Sequence, residues 1–268
     1  MHDIELETAL RDFALGGLRF FEIVGSTNDE ALAWAASGAH DASLVVADAQ
    51  SNGRGRDGRK WTSQPGAGLA FSLILRPTQA ERELVGRFAG LASLALVDSL
   101  ARRGLAAEVK WPNDVLIGRR KSAGVLVEAV WTGAEVESLV IGMGVNVAPG
   151  SLPPAAELSF PATCVETELG GPVPRYALLR ELLTSLLELR AGLTSDAFLA
   201  RWEQALAFRG EQVQIWQGRD RQGEFSGQAF MAELIGLEHD GSLRVRLGSG
   251  ETRRVHFGEV RLRPAAGQ

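Results

Sequence analysis

The stretch from Lys110 to Val130 has the sequence KWPNDVLIGRRKSAGVLVEAV, in which two apolar runs flank a polar turn. The runs over residues 115–117 and 124–130 are rich in aliphatic and β-branched side chains, which favour strands. Gly118-Arg119-Arg120-Lys121 lies between them and is typical of a hairpin turn. The stretch therefore predicts a β-hairpin near the middle of the chain.

Further strands and helices are predicted on both sides of this hairpin. Short apolar runs predict strands over residues 44–47, 69–75, 108–110 and 139–147. Apolar residues at helical spacing predict helices over residues 28–36, 83–103, 176–189 and 198–206. Residues 149–161 are rich in proline and alanine and predict a loop. Strands interleaved with helices predict an α/β (α+β) domain built on a mixed sheet.

The pattern changes near residue 209. From Glu211 onward, short alternating runs are separated by glycines and predict strands, among them residues 213–215, 243–247 and 254–257. This pattern is typical of a small all-β module. We therefore place a domain boundary between residues 1–208 and residues 209–268.

Composition excludes several classes of function. The 268 residues carry 28 basic and 33 acidic side chains, and this net charge of −5 argues against general nucleic-acid binding, which needs clustered Lys and Arg. The single cysteine, Cys164, has no partner for an intramolecular disulfide, and the four histidines lack the spacing of zinc ligands. The N-terminus is acidic, unlike a signal peptide, and the most apolar stretch, residues 88–100, is too short to span a bilayer. We therefore expect a cytoplasmic protein.

The most unusual stretch is Gly53-Arg54-Gly55-Arg56-Asp57-Gly58-Arg59-Lys60-Trp61. Its glycines permit close backbone approach to a ligand, and four basic side chains are packed into eight positions. Such a loop suits a phosphate, pyrophosphate or carboxylate, although a solvated surface turn explains the same composition about equally well. It matches neither the P-loop nor the dinucleotide-binding fingerprint.

Three further stretches place polar groups at or near strand ends. Lys110, Asn113 and Asp114 offer an ammonium, an amide and a carboxylate suited to phosphate or Mg²⁺. The same stretch is also typical of a simple Pro-Asn-Asp turn that carries no chemistry. Lys121 stands at the entrance of an apolar strand and points into a cleft or into water. Residues 142–146 place two glycines inside a strand, which indicates close approach of a ligand or a β-bulge.

Taken together and in order, these motifs resemble those of the biotin–protein ligases, also called biotin–[acetyl-CoA-carboxylase] ligases. The motifs are Ser26-Thr27-Asn28, Gly-Arg-Gly-Arg at 53–56, Lys-Trp-Pro-Asn-Asp at 110–114, Lys-x-x-Gly with Val-Leu-Val-Glu at 121–128, and Gly-x-Gly-Val-Asn at 142–146. The resemblance extends from about Phe20 to Arg263. It implies a mixed-sheet biotinyl/lipoyl-ligase-like catalytic domain that binds biotin and ATP, followed by an SH3-like β-barrel.

The resemblance also implies an activity. Members of the family join biotin to ATP, giving biotinyl-5′-adenylate and pyrophosphate, and then pass biotin to one lysine of a biotin carboxyl carrier domain. ATP and biotin are thus the implied substrates and Mg²⁺ the implied cofactor. The implied partner is the carrier protein or domain of acetyl-CoA carboxylase or of a related biotin enzyme.

Roles for individual residues follow from the same resemblance. The catalytic residues are Lys121, Arg56 and Lys110. The residues on the biotin side are Ser26, Thr27, Asn28, Gln50, Arg54, Gly55, Arg56, Lys121 and Gly124. Those on the ATP and adenylate side are Arg54, Arg56, Trp61, Lys110, Asn113, Asp114, Lys121 and Asn146, with Asp114 as a Mg²⁺ ligand. These cations suit the chemistry, because attack of a carboxylate on a phosphate brings two anions together and needs no side-chain nucleophile.

Two positions depart from the family pattern. Asp57 stands where Gly-Arg-Gly-Arg is familiarly followed by Arg-Gly, and we expect it to lie outside the ligand contacts and to pair with Arg59 at the surface. Cys164 stands where relatives often carry serine, and we expect a small buried residue rather than a catalytic thiol.

The same motifs leave functions other than biotin attachment open. Some relatives are also repressors with an N-terminal helix-turn-helix domain, but too few residues precede Ser26 for such a domain, so we expect no DNA partner and no membrane partner. A lipoate-attaching enzyme of related fold and a non-catalytic ligand sensor are the alternatives. Relatives often dimerise by sheet extension, and the sequence does not choose between a monomer and a homodimer.

Overall fold

The computed structural model describes residues 3–61, 64–154, 156, 158, 160–217, 229–256 and 260–264. Seven strands form the main sheet: β1 (Gly17–Val24), β2 (Ser43–Gln50), β3 (Gly68–Leu75), β4 (Ala107–Lys110), β5 (Asp114–Ile117), β6 (Arg120–Thr132) and β7 (Glu135–Asn146). They lie in the order β1-β2-β3-β7-β6-β5-β4. Only the β1–β2 pairing is parallel among these neighbours, so the sheet is mixed, as the sequence predicts.

The helices cover both faces of this sheet. They are α1 (Ile4–Leu10), α2 (Thr27–Ala36), α3 (Gln79–Arg82), α4 (Arg87–Ala101), α5 (Val165–Leu169), α6 (Arg175–Arg190) and α7 (Asp196–Gln204), with short 3₁₀ turns at Arg56–Gly58 and Pro149–Ser151. Helix α2 connects the parallel strands β1 and β2, a connection that needs a crossover. It buries Ala31 and Ala35 against Val45, Ile74 and Val140, whereas α4 and α6 pack on the larger core.

A second sheet follows in the chain. Its five strands are β8 (Gln212–Gln217), β9 (Phe230–Leu237), β10 (Leu243–Leu247), β11 (Thr252–Val255) and β12 (Val260–Pro264), in the order β11-β10-β9-β8-β12. Every pairing is antiparallel, which confirms the all-β character predicted for this part of the chain. The expected strand over residues 254–257 ends at Val255 in the structure, and Phe257 lies outside the described residues.

Three side chains of the first part of the chain hold the turn between β9 and β10. The fully buried Arg87 donates to the carbonyl oxygen of His239 at 2.8 Å, and Trp111 Nε1 donates to that of Gly241 at 3.0 Å. Glu203 accepts from the backbone N–H of Leu237 at 2.9 Å. The turn is thereby fixed beside the segment that carries Lys110 and Asp114.

Two local predictions differ from the structure. The helix predicted over residues 83–103 is shorter at both ends, because residues 83–86 form a turn after α3 and α4 runs only from Arg87 to Ala101. The hairpin turn is shorter than predicted: only Gly118 and Arg119 lie outside the strands, both with positive φ. Within the described residues, no helix is long and apolar enough to cross a membrane.

Candidate active site

One row of cross-strand neighbours runs through six strands of the main sheet. In order from β2 to β4 its members are Ala47, Ala70, Gly144, Gly124, Asp114 and Lys110. Directly paired residues point to the same face of a sheet. The small residues therefore form a trough, and a carboxylate and an ammonium stand at one end of it. Gly144 lies two register steps from Val140, so the trough is on the face that α2 covers.

The indole of Trp61 lies in this trough. A Cβ atom at Gly144 would stand 2.1 Å from Trp61 Cε2, and one at Gly124 would stand 3.4 Å from Cζ3. The ammonium of Lys121 is 5.7 Å from the centre of the indole ring, within the range of a cation–π contact. Predicted residues from the loop, the hairpin and the glycine strand thus meet at one place.

Polar side chains form a wall at the N-terminal end of α2. Gln50 Oε1 accepts from the Thr27 N–H at 2.8 Å and from Thr27 Oγ1 at 3.2 Å. Ser72 Oγ lies 2.8 Å from Thr27 Oγ1, on the neighbouring strand β3. Ser26 is the buried N-cap residue of α2. The structure therefore brings together Ser26, Thr27 and Gln50, for which the family resemblance predicts a place on the biotin side.

Asn28 makes different contacts from its two neighbours. Its Oδ1 lies 2.6 Å from Ser72 Oγ, and its Nδ2 donates to Glu128 Oε2 at 2.7 Å and approaches the Leu126 carbonyl oxygen at 3.4 Å. The side chain is buried and both ends of its amide are engaged by the protein. It therefore anchors α2 to β3 and β6.

Gly142 makes room for this anchor, and its replacement by alanine tests the packing. A Cβ atom there would stand 1.9 Å from Asn28 Oδ1, so the Asn28 side chain or the helix end that carries it must shift. We expect Gly142→Ala to lower the free energy of unfolding by about 1–3 kcal/mol, the usual cost of overpacking. Urea denaturation measures it, with Gly171→Ala as control because nothing lies within 4 Å of that position. A Gly142→Ala protein as stable as the wild type would contradict this packing.

A buried carboxylate joins the two lysines at the end of the trough. Asp114 Oδ1 is 2.6 Å from Lys121 Nζ, and Asp114 Oδ2 is 3.2 Å from Lys110 Nζ. Burial alone would raise the pKa of Asp114, but Lys121 and Lys110 together hold it well below its usual range. Burial lowers the pKa of Lys110, and Asp114 opposes that shift. The cluster has two ammonium groups for one carboxylate, so it retains net positive charge.

The cationic loop is an ordered hairpin over this site. Gly55 N donates to the Arg59 carbonyl oxygen at 2.7 Å, and Trp61 N donates to that of Gly53 at 2.9 Å. Arg56 Nη1 donates to Asn113 Oδ1 at 3.3 Å, while Asn113 Nδ2 donates to the Val125 carbonyl oxygen at 2.6 Å. Arg56 and Asn113 are therefore joined beside the trough.

Asn146 is linked to Lys121 by hydrogen bonds through the backbone of Thr163. Its Nδ2 donates to the Thr163 carbonyl oxygen at 3.2 Å, and the Thr163 N–H donates to the carbonyl oxygen of Lys121 at 2.9 Å. The next residue, Cys164, is fully buried, and its Sγ lies 3.0 Å from Thr167 Oγ1. The small buried residue expected at 164 is confirmed, whereas the expectation for Asp57 falls on a side chain outside the described part of the structure.

Two residues that link α2 to the sheet at this site, Ser72 and Glu128, received no role from the sequence, although Glu128 ends the Val-Leu-Val-Glu motif. Ser72 and Glu128 are single polar residues within otherwise apolar strand stretches, Leu69–Leu75 and Val125–Val130. That pattern is a usable signal, because a polar side chain in a buried strand needs a hydrogen-bond partner. Their partners here are Thr27 and Asn28 on α2.

Known proteins resemble this chain in sequence and in fold. Residues 20–146 match the Biotin/lipoate A/B protein ligase family. The chain superposes with a TM-score of 0.77 on the biotin protein ligase of Aquifex aeolicus, solved in complex with biotin and ATP; the match covers 93% of this chain and 99% of that one at 28% identity.

Two curated relatives extend the likeness. The biotin–[acetyl-CoA-carboxylase] ligase of Paracoccus denitrificans is 40% identical over 143 residues, which are 49% of this chain and 58% of the relative. The bifunctional ligase/repressor BirA of Bacillus subtilis is 29% identical over 271 residues, covering 98% of this chain and 79% of the relative. The chain belongs to the biotin–protein ligase branch of the biotin/lipoate A/B protein ligase family.

Proposed function

We propose that this chain is an ATP-dependent biotin–protein ligase that forms biotinyl-5′-AMP and transfers biotin to a lysine of a carrier domain. The observation that carries the proposal is the trough of small residues that ends at Lys110, Asp114 and Lys121. An elongated ligand that displaced the Trp61 indole from Gly144 and Gly124 would place an anionic end against those ammonium groups. The Aquifex aeolicus relative, solved with biotin and ATP, supports the same substrates.

The first step joins two anions, and the trough supplies cations for it. An oxygen of the biotin carboxylate attacks the α-phosphorus of ATP, a new O–P bond forms, and pyrophosphate leaves as the bond to the β-phosphate breaks. Lys121, Lys110 and Arg56 are the side chains that would stabilise the charge in this transition state. Asp114 holds both lysines in place before substrate arrives, so little reorganisation is needed.

The second step needs no nucleophile from the enzyme. The amine of the acceptor lysine attacks the carbonyl carbon of the mixed anhydride, an amide bond forms, AMP leaves, and the nitrogen loses a proton. The one thiol of the chain, that of Cys164, is therefore not needed as a nucleophile, and it is fully buried against Thr167. The indole of Trp61 and the ordered loop would limit access of water to the anhydride.

The wall at α2 favours biotin over lipoate. The ureido ring of biotin carries two N–H donors and a carbonyl acceptor, whereas the dithiolane ring of lipoate has neither. Thr27 and Gln50 present hydroxyl and amide groups on one side of the trough. A site whose polar groups are left unpaired by a ligand discriminates strongly against it.

Asp114 does not fit the predicted role of Mg²⁺ ligand. Both of its carboxylate oxygens contact ammonium groups, and a dication there would stand beside Lys110 and Lys121. Across the described ranges, no group of three or more His, Cys, Asp and Glu could hold a metal ion. The use of Mg²⁺ with ATP stays a prediction, and Asp114 is assigned the role of counter-ion.

Intact-mass analysis of an acceptor tests the proposed activity. We would incubate the full chain with ATP, Mg²⁺, biotin and a biotin carboxyl carrier domain, with the acceptor Lys→Arg variant as control. One biotinyl adduct on the wild-type acceptor, dependent on ATP, is the expected result. A lipoyl adduct from lipoate in place of the biotinyl one would point to the lipoate-attaching enzyme. No adduct with either acid would favour a non-catalytic ligand sensor.

The partners and location are proposed with the activity. The acceptor is the carrier domain of acetyl-CoA carboxylase or of a related biotin enzyme, as the name of the Paracoccus denitrificans relative suggests. The absence of a DNA partner stays a prediction that a gel shift with biotin and ATP would check. The cytoplasmic location also stays a prediction.

A homodimer through strand β6 is proposed as well. This strand is longer than β5, and its last residues, from Val127 to Thr132, are paired only with β7 in the described sheet. An edge of this kind can pair with the same strand of a second copy. Sedimentation velocity with and without biotin and ATP tests the dimer, and a monomer under every condition would contradict it.

A further inference from the structure

Glu128 is the one acidic residue of β6, and its carboxylate accepts three hydrogen bonds. Arg54 donates to both oxygens, from Nη1 to Oε1 at 3.1 Å and from Nη2 to Oε2 at 2.9 Å. Asn28 Nδ2 donates to Oε2 at 2.7 Å. The paired geometry with the guanidinium is the strong form of this contact. A single carboxylate thus touches the cationic loop and α2 at the same time.

The two donors belong to separate parts of the candidate active site. Asn28 follows Thr27 at the start of α2, and its amide is locked between Ser72 and Glu128. Arg54 lies in the loop two residues before Arg56, and its Nη2 also donates to Asp29 Oδ1 at 2.6 Å in the first turn of α2. The loop is therefore clamped to the wall that holds Thr27.

The contacts of Arg54 set it apart from Arg56. Two carboxylates offset the Arg54 charge, and the hydrogen bonds to Glu128 raise the pKa of its guanidinium. Arg56 reaches Asn113 beside the lysine cluster. The side chain of Arg54 holds the loop in place, while the cation that faces the phosphate end of the trough is Arg56.

We infer that Glu128 is a positioning residue that fixes the loop of residues 53–61 against the N-terminal end of α2 and thereby sets the affinity for biotin. This inference rests on the proposed function for the identity of the ligand. The Glu128 carboxylate orients two side chains by hydrogen bonds. One is Asn28, which lies next to the wall at α2, and the other is Arg54, which lies at the base of the loop. A loop released from β6 would have to be ordered again by each incoming ligand, which weakens binding.

Glu128→Gln tests this role, because it keeps the shape and removes the charge and one acceptor oxygen. The matched control is Glu135→Gln, which removes an exposed carboxylate that pairs with Arg82 at 2.5 Å on the same β6–β7 hairpin. Two measurements apply to each full-length variant. One is the dissociation constant for biotin by titration calorimetry, and the other is the rate of tryptic cleavage after Arg56, Arg59 or Lys60 in the ligand-free protein.

We expect Glu128→Gln to weaken biotin binding and to speed loop cleavage, each by about tenfold, in a protein that stays folded. Glu128→Asp should recover part of both, and Glu135→Gln should change neither. Because Glu128 acts through Arg54, the double variant Arg54→Gln/Glu128→Gln should be no weaker than Glu128→Gln alone.

Wild-type rates of loop cleavage in Glu128→Gln would overturn the positioning role, and so would additive losses in the double variant. The cleavage rate needs no ligand, so it decides this role by itself. A wild-type protein that bound no biotin would instead contradict the proposed function.

Discussion

Replacing Lys121 with alanine is expected to slow biotinyl-adenylate formation by about 10²–10³-fold, the usual effect of removing one preorganised donor from a charged transition state. Lys121 Nζ is the ammonium closest to Asp114, at 2.6 Å, and it lies beside the Gly124 floor of the trough, 3.2 Å from where a Cβ would stand. Asp114 keeps Lys110 as a second partner at 3.2 Å, so loss of Lys121 acts on the reaction more than on the fold.

Single-turnover measurement of adenylate formation from biotin and ATP separates the rate from binding. Arg82→Ala is the control, because it removes a cation that pairs with Glu135 away from the trough. We expect the control to keep the wild-type rate. A folded Lys121→Ala protein whose rate stayed within about threefold of the wild type would contradict the role given to this lysine.

Asp114→Asn is expected to destabilise the protein by about 3–5 kcal/mol, because removing one partner of a buried ion pair leaves an uncompensated charge. The side chains of Lys110 and Asp114 are only 10% and 12% exposed. The asparagine amide would also point donors toward ammonium groups. Chemical denaturation measures the loss. Glu211→Gln, which breaks the surface pair with Arg119, is the control and should cost less than about 1 kcal/mol.

The stability of the Asp114→Asn variant is expected to rise with pH. Burial already lowers the pKa of Lys110 below the ordinary 10.5, and without its carboxylate that pKa falls further. Between the folded and unfolded pKa values the unfolded chain binds more protons, so stability rises with pH there. The stability deficit relative to wild type should therefore shrink as the pH rises toward the ordinary pKa of lysine. A deficit that stayed constant or grew would mean that Lys110 is not the destabilising charge.

Local sequence patterns predict most of the elements of the fold. Apolar runs mark β2, β3 and β7, and the leucine-rich pattern marks α6, since each buries its apolar residues in the core. The helix over residues 83–103 was predicted too long because apolar spacing continues across the turn between α3 and α4. The Thr78–Glu81 capping box marks the start of α3, a separate short helix that was not predicted.

The candidate site could be predicted only in part. Motif residues such as Lys121 and Gly124 were identified, but their meeting in one row with Ala47 and Ala70 depends on strand order and register. Register between strands far apart in the chain is set by tertiary packing, which one sequence does not display. The same limit explains Asn28, which was predicted beside biotin and is an anchor between Ser72 and Glu128.

Formation of biotinyl-5′-AMP by the full chain, with ATP, Mg²⁺ and biotin and without any acceptor, tests the central claim most directly. Liquid chromatography with mass detection would measure the adenylate and the pyrophosphate released with it. We expect biotin-dependent adenylate in the wild type and a loss of about 10²–10³-fold in rate in Lys121→Ala. Folded protein that formed no biotinyl adenylate, or that formed only lipoyl adenylate when lipoate was supplied together with biotin, would contradict the proposed activity.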